Sequence, residues 1–300
     1  MQEKLYPTPC GKIHYWVNSD RNPAATTLVF LPGLTADHRL FDKQVACFEG
    51  KYNLLVWDAP GHGASWPFRL TFSLMDKARW LDEILCREAL CQPVIVGQSM
   101  GGYVGQAYAE LFPRKLKGFV AIDSAPLQRK YVTGIELWLL KRMEPVYRHY
   151  PWKSLLKTGS KGVATSAYGQ ALMQEMMMTY DGDQERYARL SGHGMRMLAE
   201  AMEADLPYRI PCPALLICGE KDHAGSCIRY NKAWHKHRHP AGVDPRGRTQ
   251  CQHRCTGRGE SADFEVCRGI VTGRGMLPAA FQFPPSTARS LSSVAAGNWA

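Results

Sequence analysis

The stretch of residues 94–102 constrains the fold more than any other part of the chain. A β-branched apolar run ends there in the pattern Gly-x-Ser-x-Gly, with Ser99 at its centre, and residues 103–111 have the composition of a helix. This order is typical of a nucleophile elbow, in which a sharp strand-to-helix turn holds a serine hydroxyl out of the sheet. The flanking glycines suit a turn so tight that neighbouring side chains would collide. We therefore predict an accessible Ser99 hydroxyl that faces the N-terminus of a helix.

Apolar runs and helical spacing define the rest of the predicted architecture. Predicted strands cover residues 12–17, 26–31, 52–57, 93–97, 116–122 and 214–219, and helices are predicted at 37–48 and 74–89. Strands that are nearly continuous in apolar residues and are separated by helices indicate a mostly parallel sheet, covered by helices on both faces. The fold class that we expect is therefore α/β.

Between Pro126 and Asp205 the chain carries no strand signal, and methionine and aromatic side chains crowd a helical stretch. We predict a helical lid insertion at about residues 127–206, whose soft apolar side chains would shield Ser99 and form an apolar pocket. The alternative is that these side chains form an ordinary helical core. They are Trp138, Leu139, Leu140, Met143, Tyr147, Tyr150, Trp152, Met173, Met176, Met177, Met178, Tyr180, Met195 and Met197.

Length and composition suit one large α/β domain with an insertion, or two small domains. The N-terminus contains no apolar segment of a signal peptide, and no apolar run approaches the ~18 residues of a membrane span. We therefore expect a cytoplasmic protein with no membrane partner. Seven of the ten cysteines are scattered through residues 1–236 without paired spacing, which favours buried free thiols over disulfides.

The C-terminal part of the chain has a different composition from the rest. Residues 237–300 hold eight arginines and four acidic residues but no lysine, whereas residues 1–236 hold fifteen lysines. The formal net charge of +10 suggests nucleic acid or an acidic membrane as a partner, but its distribution weakens that suggestion. The arginines of the tail are mixed with acidic residues, which is a weak footprint for nucleic-acid binding. We therefore expect no nucleic-acid partner, and the break in composition needs another cause.

Four motifs occur in the order and spacing of the α/β-hydrolase superfamily. They are Leu-Pro-Gly-Leu at 31–34, Asp-Ala-Pro-Gly-His-Gly at 58–63, Gly-Gln-Ser-Met-Gly-Gly at 97–102 and Gly-Glu-Lys-Asp at 219–222. Over roughly residues 10–236 the chain resembles the small, lid-bearing esterases and C–C-bond hydrolases of that superfamily.

The resemblance implies a role for four residues. Ser99 would be the nucleophile, and Asp222 would orient the catalytic histidine. The N–H groups of Met100 and Leu34 would form the oxyanion hole. The resemblance implies no cofactor and no metal ion.

Other residues are candidates for parts of this site. Asp123 also follows a predicted strand and is the second candidate for the catalytic acid, while Asp222 could instead cap a helix. Asp222 is favoured because Gly-Glu-Lys-Asp matches the family motif residue by residue. His38 and His193 could line the pocket, although a solvated or core position is the ordinary expectation for a histidine. His62 lies in a Gly-His-Gly turn, where a structural role is expected.

The catalytic histidine that the resemblance implies should follow Asp222 by roughly 25 to 30 residues, in a Gly-x-Gly-His-like turn after one more strand. Residues 237–250 contain neither a strand signal nor such a turn. If the codons from His237 onward are read one nucleotide out of frame, they can encode a strand, a Gly-Ala-Gly-His turn and the start of a helix. We therefore hypothesise that residues 237–300 are an out-of-frame, disordered tail. Such a chain would lack its general base and would leave one sheet edge unpaired.

These observations favour hydrolysis of an ester or related acyl bond of a small, largely apolar molecule, through an acyl-serine intermediate. The activity would be impaired in this chain because its histidine is missing. Peptidase, C–C-bond hydrolase and lactonase chemistry stay open with the same residues. The alternative is a non-enzymatic protein that binds small molecules on a hydrolase scaffold. A zinc site at Cys251, His253 and Cys255, with Cys267 nearby, is disfavoured because the spacing matches no common zinc module.

Overall fold

The structure is a computed structural model that describes residues 1–219, 227–237 and 241–244. These residues form eight β-strands and nine α-helices. The strands are β1 (Gln2–Thr8), β2 (Gly11–Val17), β3 (Thr27–Leu31), β4 (Asn53–Trp57), β5 (Val94–Gln98), β6 (Gly118–Ile122), β7 (Ala214–Gly219) and β8 (Ala241–Asp244). The helices are α1 (Asp42–Phe48), α2 (Leu74–Arg87), α3 (Met100–Leu111), α4 (Gly134–Leu140), α5 (Met143–His149), α6 (Trp152–Val163), α7 (Ala167–Met178), α8 (Gln184–Glu203) and α9 (Cys227–His237).

One sheet contains all eight strands, in the order β1-β2-β4-β3-β5-β6-β7-β8. β2 pairs antiparallel with β1 and with β4, and every other neighbouring pair is parallel. Parallel neighbours need crossover connections, and α1, α2 and α3 lie in the connections between β3, β4, β5 and β6. The predicted α/β class with a mostly parallel sheet is therefore confirmed.

Strand β1 lies outside the predicted strands, the first of which covers residues 12–17. β1 and β2 form a hairpin whose turn joins Thr8 to Gly11. As the edge strand, β1 has only exposed or half-buried side chains. Edge strands tolerate charged residues such as Glu3 and Lys4, so this strand carries no apolar run that would reveal it.

The core has two parts, one on each face of the sheet. In β3, the side chains of Val29 and Leu31 enter one apolar cluster, and those of Leu28 and Phe30 enter the other. The first cluster includes the buried faces of α2, α3 and most of α8, and the second includes those of α1 and α7. Strands β3 to β6 are consequently buried along their whole length. This double burial explains why their sequences are nearly continuous in apolar residues.

Helices α4 to α8 occupy the stretch between β6 and β7 in which the sequence indicates an insertion. Met173, Met176 and Met177 of α7 are buried there. Trp138 of α4 behaves differently, because it is 53% exposed. Its outward position removes it from the set of side chains that were expected to line an apolar pocket.

The sheet does not end at β7, which corrects the expectation that no strand follows Lys236. Residues Ala241–Asp244 form β8, which pairs parallel with β7. Strand pairing uses backbone N–H and C=O groups, which every sequence offers, so a short segment without a recognisable strand pattern can still extend a sheet. The edge of β7 is therefore paired rather than open. The remaining residues of the predicted tail, 238–240 and 245–300, lie outside the described residues.

The cysteines differ from expectation in their exposure. Cys47, Cys86 and Cys91 are free thiols that face solvent, whereas Cys218 is buried. The first three lie on the outer sides of α1 and α2 or just after α2, where an apolar neighbour in sequence does not imply burial. Among the described residues, no helix is both long and apolar enough to cross a membrane.

Candidate active site

Ser99 lies in the turn between β5 and α3, with its backbone at φ 48° and ψ −115°. Left-handed φ values are costly for a residue with a side chain and persist only where the surroundings impose them. Here the Ser99 N–H donates to the carbonyl of Ile122 at 2.8 Å, and the Ser99 carbonyl accepts from Gly102 N at 2.9 Å. Ser99 as a whole is half-buried. An accessible Ser99 hydroxyl stays a prediction.

Close packing of α3 against β3 determines the position of the turn that carries Ser99. A Cβ atom at Gly101 would lie 1.9 Å from the carbonyl oxygen of Leu31 and 2.5 Å from its carbonyl carbon. Because those are backbone atoms of a buried strand, they cannot move aside as a flexible side chain could. Glycine at position 101 therefore allows the first turn of α3 to approach the sheet, and this approach places Ser99.

The loop after β3 passes beside Ser99. A Cβ atom at Gly33 would lie 3.2 Å from the Cβ of Ser99, and Thr35 turns the chain with a φ of 63°. Leu34 follows Gly33 directly. Met100 is the first residue of α3, where a backbone N–H has no partner within the helix. The two N–H groups that the family resemblance assigns to the oxyanion hole thus belong to segments that flank Ser99.

Helices of the insertion lie over this loop. A Cβ atom at Gly194 of α8 would lie 2.6 Å from Cδ1 of Leu34. The N–H of Asp37 lies 3.4 Å from the sulfur of Met176 in α7. Gly194 of α8 and the Met176 side chain of α7 therefore lie against the segment that carries Leu34.

Only one of the two candidate acids lies in the part of the chain that the structure describes. Asp222, the favoured one, lies outside the described residues. Asp123 directly follows β6 and is buried, with a φ of 50°. Its N–H donates to the Ile217 carbonyl at 2.7 Å, and its Oδ1 accepts from Gly219 N at 2.8 Å. Asp123 therefore ties the end of β6 to the end of β7, from which the segment with Asp222 departs.

His38 is paired away from Ser99. Its Nδ1 lies 2.8 Å from Oδ1 of Asp58, and its ring stacks on Trp16 with centroids 3.7 Å apart. Burial lowers the pKa of His38, but the hydrogen bond and charge of Asp58 outweigh burial and raise this pKa above its ordinary value. Asp58 follows β4, and β3 separates β4 from β5, so the two strand ends lie about 10 Å apart. This pair belongs to the β2–β4 side of the sheet.

Asp37, His38 and Asp58 have ligand atoms within 4.8 Å of one another, which is close enough to hold a metal ion. Their oxygen atoms already accept hydrogen bonds, however. Asp58 accepts from the N–H of His38 and of Ala64, each at 2.7 Å, and Asp37 binds the Arg39 guanidinium at 2.7 Å. A bound guanidinium would repel a cation, so we assign this group to shaping the loop.

His62, Lys77 and His193, hereafter the buried basic cluster, lie on the face of the sheet covered by α2 and α8. Lys77 is 1% exposed, and among the described residues no carboxylate forms an ion pair with it. Its Nζ lies 5.5 Å from the centre of the Phe72 ring, and the His193 ring lies 4.7 Å from the same ring. Nε2 of His62 and Nε2 of His193 are both buried without a hydrogen-bond partner.

Burial shifts the pKa of every member of this cluster toward the neutral form. It lowers the pKa of Lys77 to about 7. Burial and the Lys77 charge lower the pKa of His62 to about 3. Burial, the Lys77 charge and the Arg196 charge lower the pKa of His193 to about 4. Neutral imidazoles with low pKa values are poor proton acceptors. In the part of the chain whose side chains the structure describes, no histidine forms a hydrogen bond with Ser99.

The chain matches the profile of the alpha/beta hydrolase family over residues 28–256, which is most of its length. It therefore belongs to the α/β-hydrolase family, and the predicted membership is confirmed. The match runs past Lys236, so the proposed change of reading frame would fall inside it. Membership of this family, together with relatives that are named hydrolases, shows that this chain is a hydrolase.

Particular relatives cover much of the chain at low identity. The "Uncharacterized hydrolase YugF" of Bacillus subtilis (strain 168) is 26% identical over 208 residues, 67% of this chain and 75% of that protein. The "3-oxoadipate enol-lactonase 2" of Acinetobacter baylyi is 25% identical over 203 residues, 65% of this chain and 71% of that protein.

Solved structures show the same fold. An esterase from Thermogutta terrifontis superposes with a TM-score of 0.71 at 18% identity, covering 90% of this chain and 100% of that one. An enol-lactonase from Burkholderia xenovorans LB400 gives a TM-score of 0.65 at 18% identity with the same coverage.

Proposed function

We propose that this hydrolase fold serves the cleavage of an ester or related acyl bond through an acyl-serine intermediate on Ser99. The observation that carries the proposal is the turn itself. Ser99 is partly exposed and lies at the N-terminus of α3, and its positive φ is imposed by hydrogen bonds to Ile122 and Gly102. A strained residue that presents a hydroxyl to solvent at a helix N-terminus is suited to attack a carbonyl carbon.

The proposed reaction follows from the placement of the neighbouring groups. Oγ of Ser99 attacks the carbonyl carbon and gives its proton to a histidine, while the carbonyl oxygen becomes an oxyanion. The N–H groups of Leu34 and Met100 donate hydrogen bonds to that oxyanion. The leaving alcohol takes the proton back from the histidine, and water then releases the acid from Ser99 by the same steps in reverse. Asp222 is the proposed carboxylate that orients the histidine, and Asp123 is the second candidate.

The substrate class rests on what covers the site. Leu34 contacts α8 at Gly194, and Met176 of α7 lies against Asp37, so soft apolar side chains border the loop beside Ser99. We propose that helices α4 to α8 act as a lid, within the predicted limits of 127–206, over a small, largely apolar acyl group. One relative is named an enol-lactonase, and one structural neighbour an esterase. Both names favour a carboxylic ester or lactone over an amide.

We further propose that the activity of this chain is impaired. No described histidine side chain contacts Ser99, and the segment in which the resemblance expects the base follows Lys236. Loss of one triad member leaves the oxyanion hole in place but typically reduces the rate by a factor of about 10³ or more. The out-of-frame origin of residues 237–300 is our explanation for this loss.

The test uses a fluorophosphonate probe on two proteins, the chain as printed and a version whose frame is restored from codon 237. We expect rapid labelling and turnover of short-chain esters or lactones only in the restored version, with a gain of about 10³-fold or more. Ser99→Ala in the restored version is the control and should abolish both signals. Circular dichroism establishes that each protein is folded.

Other outcomes would contradict one half of the proposal. If a folded restored version neither labels nor turns over any ester or lactone, the alternative of a binding protein on a hydrolase scaffold is preferred. If the printed chain labels as fast as the restored version, its base is intact and the out-of-frame hypothesis is wrong.

A further inference from the structure

Helix α4 presents an apolar face to solvent. Ile135 is 74% exposed, Trp138 is 53% exposed and Leu139 is 49% exposed. Residues spaced by three and four positions lie on one side of a helix, so these three side chains share a face. Leu137, on the opposite side, is buried in the core. Apolar residues therefore occupy both the inner and the outer side of α4, whereas a surface helix ordinarily has a polar outer side.

The outer face is bordered by positive charge. Arg142 continues the same stripe, and its guanidinium stacks on the Trp138 ring at 4.1 Å from the centroid. Lys130 precedes α4 and is exposed. Glu136, the acidic residue of α4, is turned away, because it accepts from Arg229 at 3.1 Å and from the Tyr230 hydroxyl at 2.6 Å. The outer side of α4 therefore combines three apolar side chains with the Arg142 cation and has no acidic residue of its own.

We propose that this face, made of Ile135, Trp138, Leu139 and Arg142, docks the protein on an anionic lipid surface. Tryptophan and aliphatic side chains insert at the level of the lipid headgroups, and adjacent cations pair with anionic headgroups. The stacked arginine is suited to this place, because it can keep contact with the indole while its charge faces a phosphate.

The size of the face favours a lipid surface over a second copy of the chain. Helix α4 has seven residues and is about 10 Å long. A stable dimer buries roughly 800 Å² on each partner, with about 20 to 30 residues a side, which three side chains on a short helix do not provide. A lipid surface needs only a shallow apolar insertion and complementary charge.

The expectation of no membrane partner uses the absence of a spanning segment and the mixed charges of the C-terminal tail. A helix that lies on a surface leaves no long apolar run in the sequence, and the charges of the tail do not describe the face of α4. The proposal is also separate from the chemistry of Ser99, and Ser99→Ala should bind lipid like the parent chain.

The test is sedimentation of the full chain with vesicles of phosphatidylcholine, with and without phosphatidylglycerol. We expect binding to the anionic vesicles only, weakening as sodium chloride is added. The triple substitution Ile135→Ser, Trp138→Ser and Leu139→Ser should reduce binding about tenfold or more, and Arg142→Glu several-fold. Arg142→Lys should restore most of the affinity. All four side chains are exposed, so circular dichroism should show folded variants.

The matched control is Met178→Ser, an exposed apolar residue of α7 at 44% exposure, which should leave binding unchanged. Quenching by brominated lipid should lose one tryptophan component in Trp138→Phe while sedimentation persists. Equal sedimentation of the triple variant and the parent chain would overturn the proposal, as would failure of the parent chain to bind anionic vesicles. A concentration-dependent dimer that the triple variant abolishes, without vesicle binding, would assign the face to a second copy instead.

Discussion

The Ser99 turn and the buried basic cluster both hold polar groups in unfavourable conditions, but the two costs are of different kinds. At Ser99 the cost is conformational, because a residue with a side chain adopts φ 48°. At His62, Lys77 and His193 the cost is loss of solvation, because basic groups are enclosed without an acidic partner among the described residues. Ser99 is half-buried, whereas Lys77 is 1% exposed.

This difference separates reactivity from a shifted pKa. Perturbed pKa values often mark functional sites, and the cluster has the largest downward shifts of any histidines and lysine in the described residues. Yet a substrate cannot reach a lysine that is 1% exposed. Ser99 is half-buried at the end of β5. The comparison supports our proposal of chemistry at the turn and indicates a burden on stability at the cluster.

The largest effect is expected where the turn depends on close packing. Gly101→Ala would place a Cβ atom 1.9 Å from the Leu31 carbonyl oxygen, so the strand or the helix must shift. We expect a loss of about 5 kcal/mol or more in the free energy of unfolding, enough to prevent folding. Gly134→Ala is the matched control, because nothing lies within 4 Å of its Cβ position. Equal stability of the two variants in urea titrations would refute the proposed role of Gly101.

The next expected effect is a gain in the free energy of unfolding, and it concerns the buried basic cluster. Burial lowers the pKa of Lys77 from 10.5 to about 7, so the unfolded chain binds this proton more tightly. The free-energy cost of burying the charged ammonium is therefore largest below pH 7 and vanishes above pH 10.5. The difference between the two pKa values limits this cost to about 5 kcal/mol. Lys77→Met should raise the free energy of unfolding by about 3 kcal/mol at pH 7 and by much less at pH 10.

Arg79→Met, at an exposed position of the same helix, is the control for this substitution and should change stability by less than about 0.5 kcal/mol. A destabilised Lys77→Met would mean that the ammonium has a favourable partner, and the contrast between the two regions would fail.

A smaller effect is expected from the histidines of the cluster. Burial lowers the pKa of His193 from 6.5 to about 4, so its contribution to stability is complete above pH 6.5 and is lost as the pH falls toward 4. His193→Leu should remove about 2 kcal/mol of the decline in unfolding free energy between pH 7 and pH 5. Met195→Leu, on the same helix, should keep the parent slope. An unchanged slope in His193→Leu would show that this imidazole is not buried in its neutral form.

The smallest effect tests the strain at the turn. Ser99→Gly removes the Cβ atom that makes φ 48° unfavourable, whereas Ser99→Ala keeps it. After allowance for the greater freedom of glycine in the unfolded chain, Ser99→Gly should be more stable than Ser99→Ala by about 1 kcal/mol. Thermal unfolding of the two inactive variants gives the comparison directly. Equal midpoints would mean that the turn stores no strain.

The parts of the fold that sequence predicted well are those that are buried on both sides. Strands β3 to β6 are apolar throughout because helices cover both faces of the sheet, and the Gly-x-Ser-x-Gly pattern fixed the order of β5, Ser99 and α3. Edges carry no such signal. β1 is polar because it lies at a sheet edge, and β8 forms through backbone pairing that its sequence does not advertise.

The candidate site can be proposed from sequence for a related reason. Short motifs point to Ser99, Leu34 and Met100 because close approach of the backbone requires glycine beside them. Lys77 was overlooked, although its position between Leu74 and Ala78 puts it on the buried side of α2 at helical spacing. Hydrophobic periodicity is judged from apolar residues only, so it does not predict burial of a charged residue among them. It also predicts burial for apolar residues that are exposed, such as Trp138.

Two consecutive residues of α8 join the regions compared above. Gly194 lies against Leu34, and His193 packs edge-on against Phe72 beside Lys77. Adjacent residues of a helix are only 1.5 Å apart along its axis, so neither position can shift alone. Substitutions that accumulate in the sealed interior would thus displace the peptide that we propose as an oxyanion-hole donor. Helix α8 offers an evolving lineage a way to retune turnover without altering the proposed nucleophile.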